Sequence, residues 1–284
     1  MTITIDPTAI GPRIRMMLPE MTTSQARITE MLLRGVADEA LPLKVVAERA
    51  EVSESMVVKR AKRLDFPGYR ELRTALEAYK SQPTVDMHKE VFREDSVTTI
   101  IQKVFRTSTQ ALEETLAILD IRAFERAAEV IYKARQLDFY GLGGSAQIAR
   151  DVAHNFLRIG VRTSIFDDTH TMAMSASLLK VGDVVVAFSH TGRTTAILDA
   201  VQIARKNGAT IIGVSNYETS PLTERSDILL CSNAQGSLLA SENAAARIAQ
   251  LNIMNAIFIA VAQRGYDAAK GNLARTMASV HAKR

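Results

Sequence analysis

The sequence predicts an α/β fold in which an all-helical N-terminal domain precedes a doubly wound parallel sheet of five strands. Three observations predict it. Apolar residues recur at helical spacing within the first 80 residues, residues 81–96 are polar and aperiodic, and beyond Gln136 short apolar runs alternate with helical stretches. The expected division is therefore a helical domain over 1–80, a linker over 81–96 and an α/β domain over 97–284. A chain of 284 residues suits two domains, and 47% apolar with 23% charged residues excludes a collagenous or wholly disordered chain.

The first elements are helices. Ser24 to Arg34 carries Ile28, Met31 and Leu32 on one face. From Leu43, apolar residues fall at Leu43, Val46, Ala47 and Ala50, the i, i+3, i+4, i+7 pattern of an amphipathic helix, with Pro42 at a tolerated first-turn position. Glu51 and Val52 make a short break, and Ser53 is expected to cap a second helix that runs to about Leu64. On that helix Val57, Ala61 and Leu64 share one face, while Ser55, Lys59 and Lys62 point the opposite way with Met56 and Arg63 at the flanks. A further helix, Gly68 to Lys80, presents Leu72, Ala75, Leu76 and Tyr79.

Helix, short turn and helix form a helix-turn-helix pattern, and charge gives it meaning. The net charge is +4. Lys59, Arg60, Lys62, Arg63, Arg70 and Arg73 stand against only Asp65 and Glu71, so this short window alone carries an excess as large as the whole chain's. One reading is a solvated helix face. The other is a DNA reader, whose second helix enters the major groove with its N-terminal side chains at base edges. On that reading Ser55 and Met56 face bases, Lys59, Lys62 and Arg63 contact phosphate or guanine, Ser53 at the helix start belongs to the same DNA-binding set, and the partner is double-stranded operator DNA.

Residues 81–96, which include Pro83 and His88, read as a linker. Helices are expected at about Val97 to Leu119 and Ile121 to Lys133. Strands follow at Leu137–Tyr140, Val161–Phe166, Val184–Phe188, Thr210–Val214 and Ile228–Cys231. The unbroken apolar run Val184 to Phe188 is how a strand buried on both faces reads. A closing helix, Arg247 to Ala262, is apolar around most of its circumference and belongs to a core or a subunit interface.

In such folds ligands sit beyond the carboxyl ends of the strands, which singles out two loops. The first, Gly141-Leu142-Gly143-Gly144-Ser145-Ala146, leaves the first strand and opens a helix. Its glycines let backbone N–H groups approach an anion, and Ser145 adds a hydroxyl. Gly141-x-Gly143-x-x-Ala146 also fits a dinucleotide fingerprint, with Asp167 or Asp168 as ribose acceptor. The second loop, Ser189-His190-Thr191-Gly192-Arg193-Thr194-Thr195, sets four hydroxyls around one glycine at a helix start. A dinucleotide fold does not call for this second loop, and the pair points to a small phosphorylated ligand between them.

The residues of both halves carry a resemblance. Tyr140-Gly141-Leu142-Gly143-Gly144-Ser145, Phe156-Leu157-Arg158-Ile159-Gly160-Val161 and Ser189 to Thr195 resemble the sugar isomerase (SIS) domain. With Val52 to Lys59 and Leu64 to Arg73, the chain from about residue 20 to 265 resembles the RpiR-type transcriptional regulators, which join a helix-turn-helix to a SIS domain. Lys133 to Gln136 and Met174 to Leu179 bring it nearest the branch that represses ribose and allose phosphate catabolism. The resemblance implies that Ser145, Ser189, Thr191 and Thr194 hold the phosphate of a sugar phosphate, with Gly143, Gly144, His190 and Gly192 lining the same loops.

Two departures stand out. Met56, Lys59 and Asp65 occupy positions where the family often has Thr or Ser, Arg, and Gly. Leu238 falls where SIS isomerases carry a catalytic Glu, and Glu242 nearby is expected to support the start of its helix. The resemblance thus implies a regulator and not an enzyme, a repressor of sugar catabolism genes under the control of a pentose or hexose phosphate. The alternative is a sugar-phosphate isomerase with a helical extension, and a nicotinamide enzyme ranks third.

The remaining residues suggest little chemistry. Cys231 is the single cysteine, and no H-E-x-x-H, C-x-x-C or histidine cluster occurs, so neither metal nor cofactor is expected. His170 and Asp168 stand where they could read a sugar or merely cap a turn, and Asp151 and His154 make a local i, i+3 pair. No apolar run reaches about 18 residues, and Met1 to Ile10 lacks a signal layout, so a cytoplasmic protein without membrane contact is expected. Two-fold operators favour a homodimer or homotetramer.

Overall fold

The computed structural model describes residues 7–17, 21–34, 42–81, 91–234 and 244–281. His88, Leu238 and Glu242 lie outside the described residues.

Five helices build the first unit: α1 (Pro7–Met16), α2 (Thr23–Arg34), α3 (Leu43–Arg49), α4 (Glu54–Arg63) and α5 (Tyr69–Lys80). Their apolar faces meet in one small core, with Ile10, Ile14, Ile28, Val46, Val57, Ala61, Leu72 and Leu76 buried. The α3–α4 turn closes through Val52 N–H donating to the Ala47 carbonyl at 2.9 Å, with Glu51 held at φ +55°. Asp65 ends α4 at φ +65°, where the family often has glycine. Helix α1 is not legible from periodicity, because Gly11 and Pro12 interrupt it. Gly11 is required: a Cβ there would fall 2.3 Å from the Tyr79 ring.

Residues 91–96 fold onto the helix that follows, α6 (Val97–Ile118). Asp95 accepts from Phe92 N–H at 2.8 Å and from Lys103 Nζ at 2.7 Å, and Ser96 caps α6. Gln110, Ala111, Glu114 and Thr115 are the buried residues of α6, and the helix packs on both α1 and α12 (Ala244–Arg264).

After α7 (Ile121–Lys133) the chain alternates through β1 (Gln136–Gly141), α8 (Gly144–Arg158), β2 (Thr163–Phe166), α9 (Thr169–Leu178), β3 (Asp183–Phe188), α10 (Thr195–Lys206), β4 (Thr210–Ser215), α11 (Pro221–Arg225) and β5 (Ile228–Cys231). All pairings are parallel, in the order β2-β1-β3-β4-β5. Val184, Val186 and Phe188 join a core shared with α7, α8 and α12, while Val185 and Ala187 join the one under α9 and α10. The unbroken run is thus buried on both faces. β2 begins two residues later than expected, because Val161 N–H bonds back to Phe156 and stays in the turn after α8.

Helix α12 is apolar on several sides, and its buried Ile253, Met254, Ile257 and Val261 enter the core shared with α7 and α8. By length and composition alone it is long and apolar enough to cross a membrane, which corrects the expectation that no such segment exists. A last helix, α13 (Tyr266–His281), lies beyond the expected elements; Asn272 on it donates to the Ile159 carbonyl at 2.7 Å.

Candidate functional site

Helix α4 turns Val57, Ala61 and Leu64 inward and leaves Ser55, Met56, Lys59, Lys62 and Arg63 exposed. Two expectations need correction. Arg60, counted in the basic cluster, is buried: its Nε donates to Thr29 Oγ1 at 3.2 Å, and burial, with Arg63 near, pushes its pKa down. The spacing of Val57, Arg60, Ala61 and Leu64 is i, i+3, i+4, i+7, so the wheel itself places Arg60 on the apolar face. Ser53 holds the cap position, but its hydroxyl pairs with Ser55 Oγ at 2.9 Å instead of bonding the helix.

The second candidate site follows from strand order. The sequence of strands reverses between β1 and β3, and Gly141 pairs with Phe188 at the ends of these neighbours. Loops 1 (Leu142–Gly143) and 2 (Ser189–Thr194) therefore leave the sheet side by side at its switch point, the crevice where ligands bind in doubly wound folds. Gly143 caps α8 at φ +56° with open space around it, and Ser145 sits half-buried in the first turn. Gly192 turns loop 2 at φ +64°, and a Cβ there would fall 2.1 Å from Ser220 Oγ. Ser189 is buried and its hydroxyl meets Thr194 Oγ1 at 3.1 Å; Thr191 is exposed and its hydroxyl accepts from Arg193 N–H at 3.3 Å. The half-buried His190 ring lies 6.0 Å from Tyr217, edge to face.

Capping separates these helices from their neighbours. Ser96, Asp120, Asp168 and Ser220 bond the first turns of α6, α7, α9 and α11. Neither α8 nor α10, the helices that open at the two loops, has a side-chain cap. The helix dipole favours an anion at both starts; at α8 the Ser145 and Ala146 N–H groups already donate to the Leu142 and Gly143 carbonyls at 3.1 and 3.2 Å, which leaves Gly144 N–H and the Ser145 hydroxyl to meet one.

Arg247 adds a cation that loop reasoning missed. It rises from the first turn of α12 and reaches loop 1, so that a Cβ on Gly144 would lie 3.2 Å from its guanidinium. The two residues lie far apart in sequence, and no local pattern links them. Exposed His170 lines a groove of about 500 Å³ between α9 and α10 with Thr169, Met174, Ser177 and Asp199. Asp168 is a cap, accepting from His170 and Thr171 N–H at 3.0 Å each, and Asp167 pairs with Arg150. Both acceptors considered for a dinucleotide ribose are thus engaged. Asp151 and His154 both stand exposed on α8. Burial pushes the Cys231 thiol up to about 12, which keeps it protonated.

A helix-turn-helix with a basic outer face, joined to a doubly wound domain with paired glycine-and-hydroxyl loops at its switch point, defines a class: a DNA-binding regulator carrying a ligand-type α/β domain. The comparisons narrow it. Residues 8–83 match the helix-turn-helix domain of the rpiR family, and residues 130–260 match the SIS domain. The HTH-type transcriptional regulator RpiR of Escherichia coli (strain K12) is 43% identical over 277 residues, 96% of this chain and 94% of the relative. The chain belongs to the RpiR family of helix-turn-helix, SIS-domain transcriptional regulators. Among solved structures, the Vibrio vulnificus NanR protein complexed with ManNAc-6P superposes with a TM-score of 0.62 at 23% identity, covering 97% of this chain and 99% of that one. The sugar isomerase domain of an RpiR transcription factor from Sphaerobacter thermophilus gives 0.58 at 21% identity, covering 62% of this chain and 97% of that one. These two similarities establish the shared fold.

Proposed function

We propose that the chain is a repressor of sugar catabolism genes whose hold on operator DNA is set by a pentose or hexose phosphate bound between loops 1 and 2. The observation that carries this reading is the union, in one chain, of the basic helix-turn-helix with two uncapped helices opening at the switch point. Gly143, Gly144 and Gly192 let the backbone approach the phosphate. Ser145, Thr191 and Thr194 donate to it, Ser189 orients Thr194, and His190 and Arg247 flank it. The sugar extends toward His170. On the DNA side Ser53, Ser55 and Met56 meet bases while Lys59, Lys62 and Arg63 meet phosphates. The ManNAc-6P held by the Vibrio vulnificus NanR protein supports a sugar phosphate as the effector class.

Within this reading residues 1–80 are the reader, 81–96 the connection and 97–284 the sensor, working as a homodimer or homotetramer in the cytoplasm without cofactor or membrane. It is not an enzyme, since leucine at position 238 offers no base. A ligand bound only by the native state raises apparent stability by mass action. A thermal-shift panel of pentose and hexose phosphates is expected to yield a binder that changes DNA affinity in a mobility-shift titration. Ser189→Ala with Thr191→Ala should abolish that response and leave DNA affinity intact. A retained response removes the loop assignment, and aldose–ketose turnover in a coupled assay overturns the regulator reading in favour of an isomerase.

A further inference from the structure

A buried polar seam runs from loop 2 to the DNA-reading unit. Its centre is Glu114 on α6, only 3% exposed, with both carboxylate oxygens filled. One oxygen accepts from the Tyr79 hydroxyl on α5 and from Gln110 Nε2 at 2.5 Å. The other accepts from Arg15 on α1 and from Asn233 Nδ2 at 2.8 Å. Arg15 also donates to the Tyr79 hydroxyl at 3.1 Å, and Thr115 Oγ1 accepts from Asn233 N–H at 3.0 Å. A single carboxylate thus ties two helices of the reader to the segment that follows β5.

That segment, Ser232-Asn233-Ala234, is gripped from its other side by Asn216, just after β4. Asn216 Oδ1 accepts from Ala234 N–H at 3.0 Å and Ser232 Oγ at 3.2 Å, and its Nδ2 donates to the Ala234 carbonyl at 3.3 Å. The Asn216 backbone N–H donates to the His190 carbonyl in loop 2 at 3.0 Å, and Ser215 Oγ donates to the same carbonyl at 3.3 Å. In a trans peptide the Thr191 N–H leaves from the edge opposite this carbonyl, so an anion on loop 2 and Asn216 hold one rigid plane from two sides.

All members except His190 are buried, with Ser215 and Ser232 at 0%, Asn233 at 1% and Asn216 at 5% exposure. Buried donors and acceptors tolerate little stretching, because a group left unsatisfied loses its full solvation. A shift at loop 2 therefore cannot be absorbed locally without breaking bonds along the seam. We propose that Ser232-Asn233-Ala234, clamped between Asn216 and Glu114, is the coupling element through which ligand occupancy of loop 2 changes the docking of α1 and α5, and with them the presentation of α4. This rests on the reading of the loops as an effector site.

The test is hydrogen–deuterium exchange on the full chain, with inorganic phosphate and ribose 5-phosphate as probes, in the wild type, Asn233→Ala and Tyr79→Phe. In the wild type a probe should protect residues 189–195 and also change exchange in α1 and α5 by about fivefold or more, the low end of ordinary coupling. In Asn233→Ala the loop protection should persist while the remote change is lost. Tyr79→Phe keeps the ring and removes only the hydroxyl shared by Arg15, Gln110 and Glu114, so it should lower the remote change even if the alanine variant fails to fold. Remote changes of wild-type size in the folded variants overturn the coupling element, as does loop protection without any remote change in the wild type. Absence of loop protection with both probes instead removes the effector reading, and the coupling falls with it.

Discussion

The outer face of α4 and the paired loops of the SIS domain, the two regions proposed above to meet phosphate, are built on opposite plans. Helix α4 presents Lys59, Lys62 and Arg63 on long, exposed side chains above a core of Val57, Ala61 and Leu64. The loops present uncapped helix starts, hydroxyls and two glycines at positive φ, with Arg247 at the edge. Mobile surface charge acts at a distance, within a Debye length of about 8–10 Å, and weakens with salt. Fixed backbone dipoles act only in contact and owe their geometry to close packing. The same chemical group can thus be attracted without discrimination by one region and fitted by the other.

If that contrast holds, the loops should be the more fragile region. Gly192→Ala meets both an unfavourable φ of +64° and a contact of 2.1 Å with Ser220. It should cost about 3 kcal/mol of stability by chemical denaturation, from the left-handed penalty plus overpacking. Gly143→Ala, with open space around it, should cost only about 1–2 kcal/mol. Equal losses would mean that packing under Gly192 does not define the loop.

A second set divides the basic cluster itself. Arg60→Ala should lose about 2 kcal/mol of stability, because a buried, hydrogen-bonded charge is removed. Lys59→Ala with Arg63→Ala should leave stability within about 0.5 kcal/mol. On nonspecific duplex DNA the same pair should lower the slope of log affinity against log salt by about 2. Mobility-shift titrations at several salt concentrations, beside melting curves, read both; an unchanged slope would remove α4 as the reader.

Smaller effects sharpen the picture. Asp65→Gly relieves φ +65° and should raise stability by about 1 kcal/mol, less whatever the flexible glycine adds to the unfolded chain. Asp168 separates a self-capped helix from the two that are left open. Bonds from the N–H of Thr171 and then of His170 hold its carboxyl below the usual range. A depressed folded value means stability that is present above the ordinary Asp pKa of about 3.9 and lost as pH falls through the folded value. Asp168→Asn should therefore melt slightly below the wild type at neutral pH, with the gap closing in acid; a gap constant with pH would show that charge adds nothing to this cap.

Much of this is legible in sequence because it is periodic or local. Helices α2 to α7 and the five strands follow from repeats of 3.6 and 2 residues and from apolar runs, and both loops follow from glycine and hydroxyl spacing beside them. What escapes depends on partners far along the chain. Helix α1 contains Pro12, and it is stabilised by Tyr79 and α6, which no window around residue 12 contains. Arg247 reaches Gly144 only because α12 starts beside loop 1. Glu114 looks like an ordinary helix-surface acid until its partners at 15, 79 and 233 are brought together. Arg60 is the exception, since its inward turn is visible in spacing and obscured by its charge.

The bond between Arg15 and Glu114 also sets a schedule. The two residues are separated by 99 positions, so at a synthesis rate of about 5–20 residues per second Glu114 follows Arg15 by roughly 5–20 s. Lys80, the last residue of α5, precedes Glu114 by 34 positions, so for about 2–7 s of that interval all five helices have been synthesised while the arginine has no carboxylate waiting for it. A fragment cut after Lys80 would be held permanently at that stage, and a DNA-reading piece prepared for separate study should therefore extend through α6.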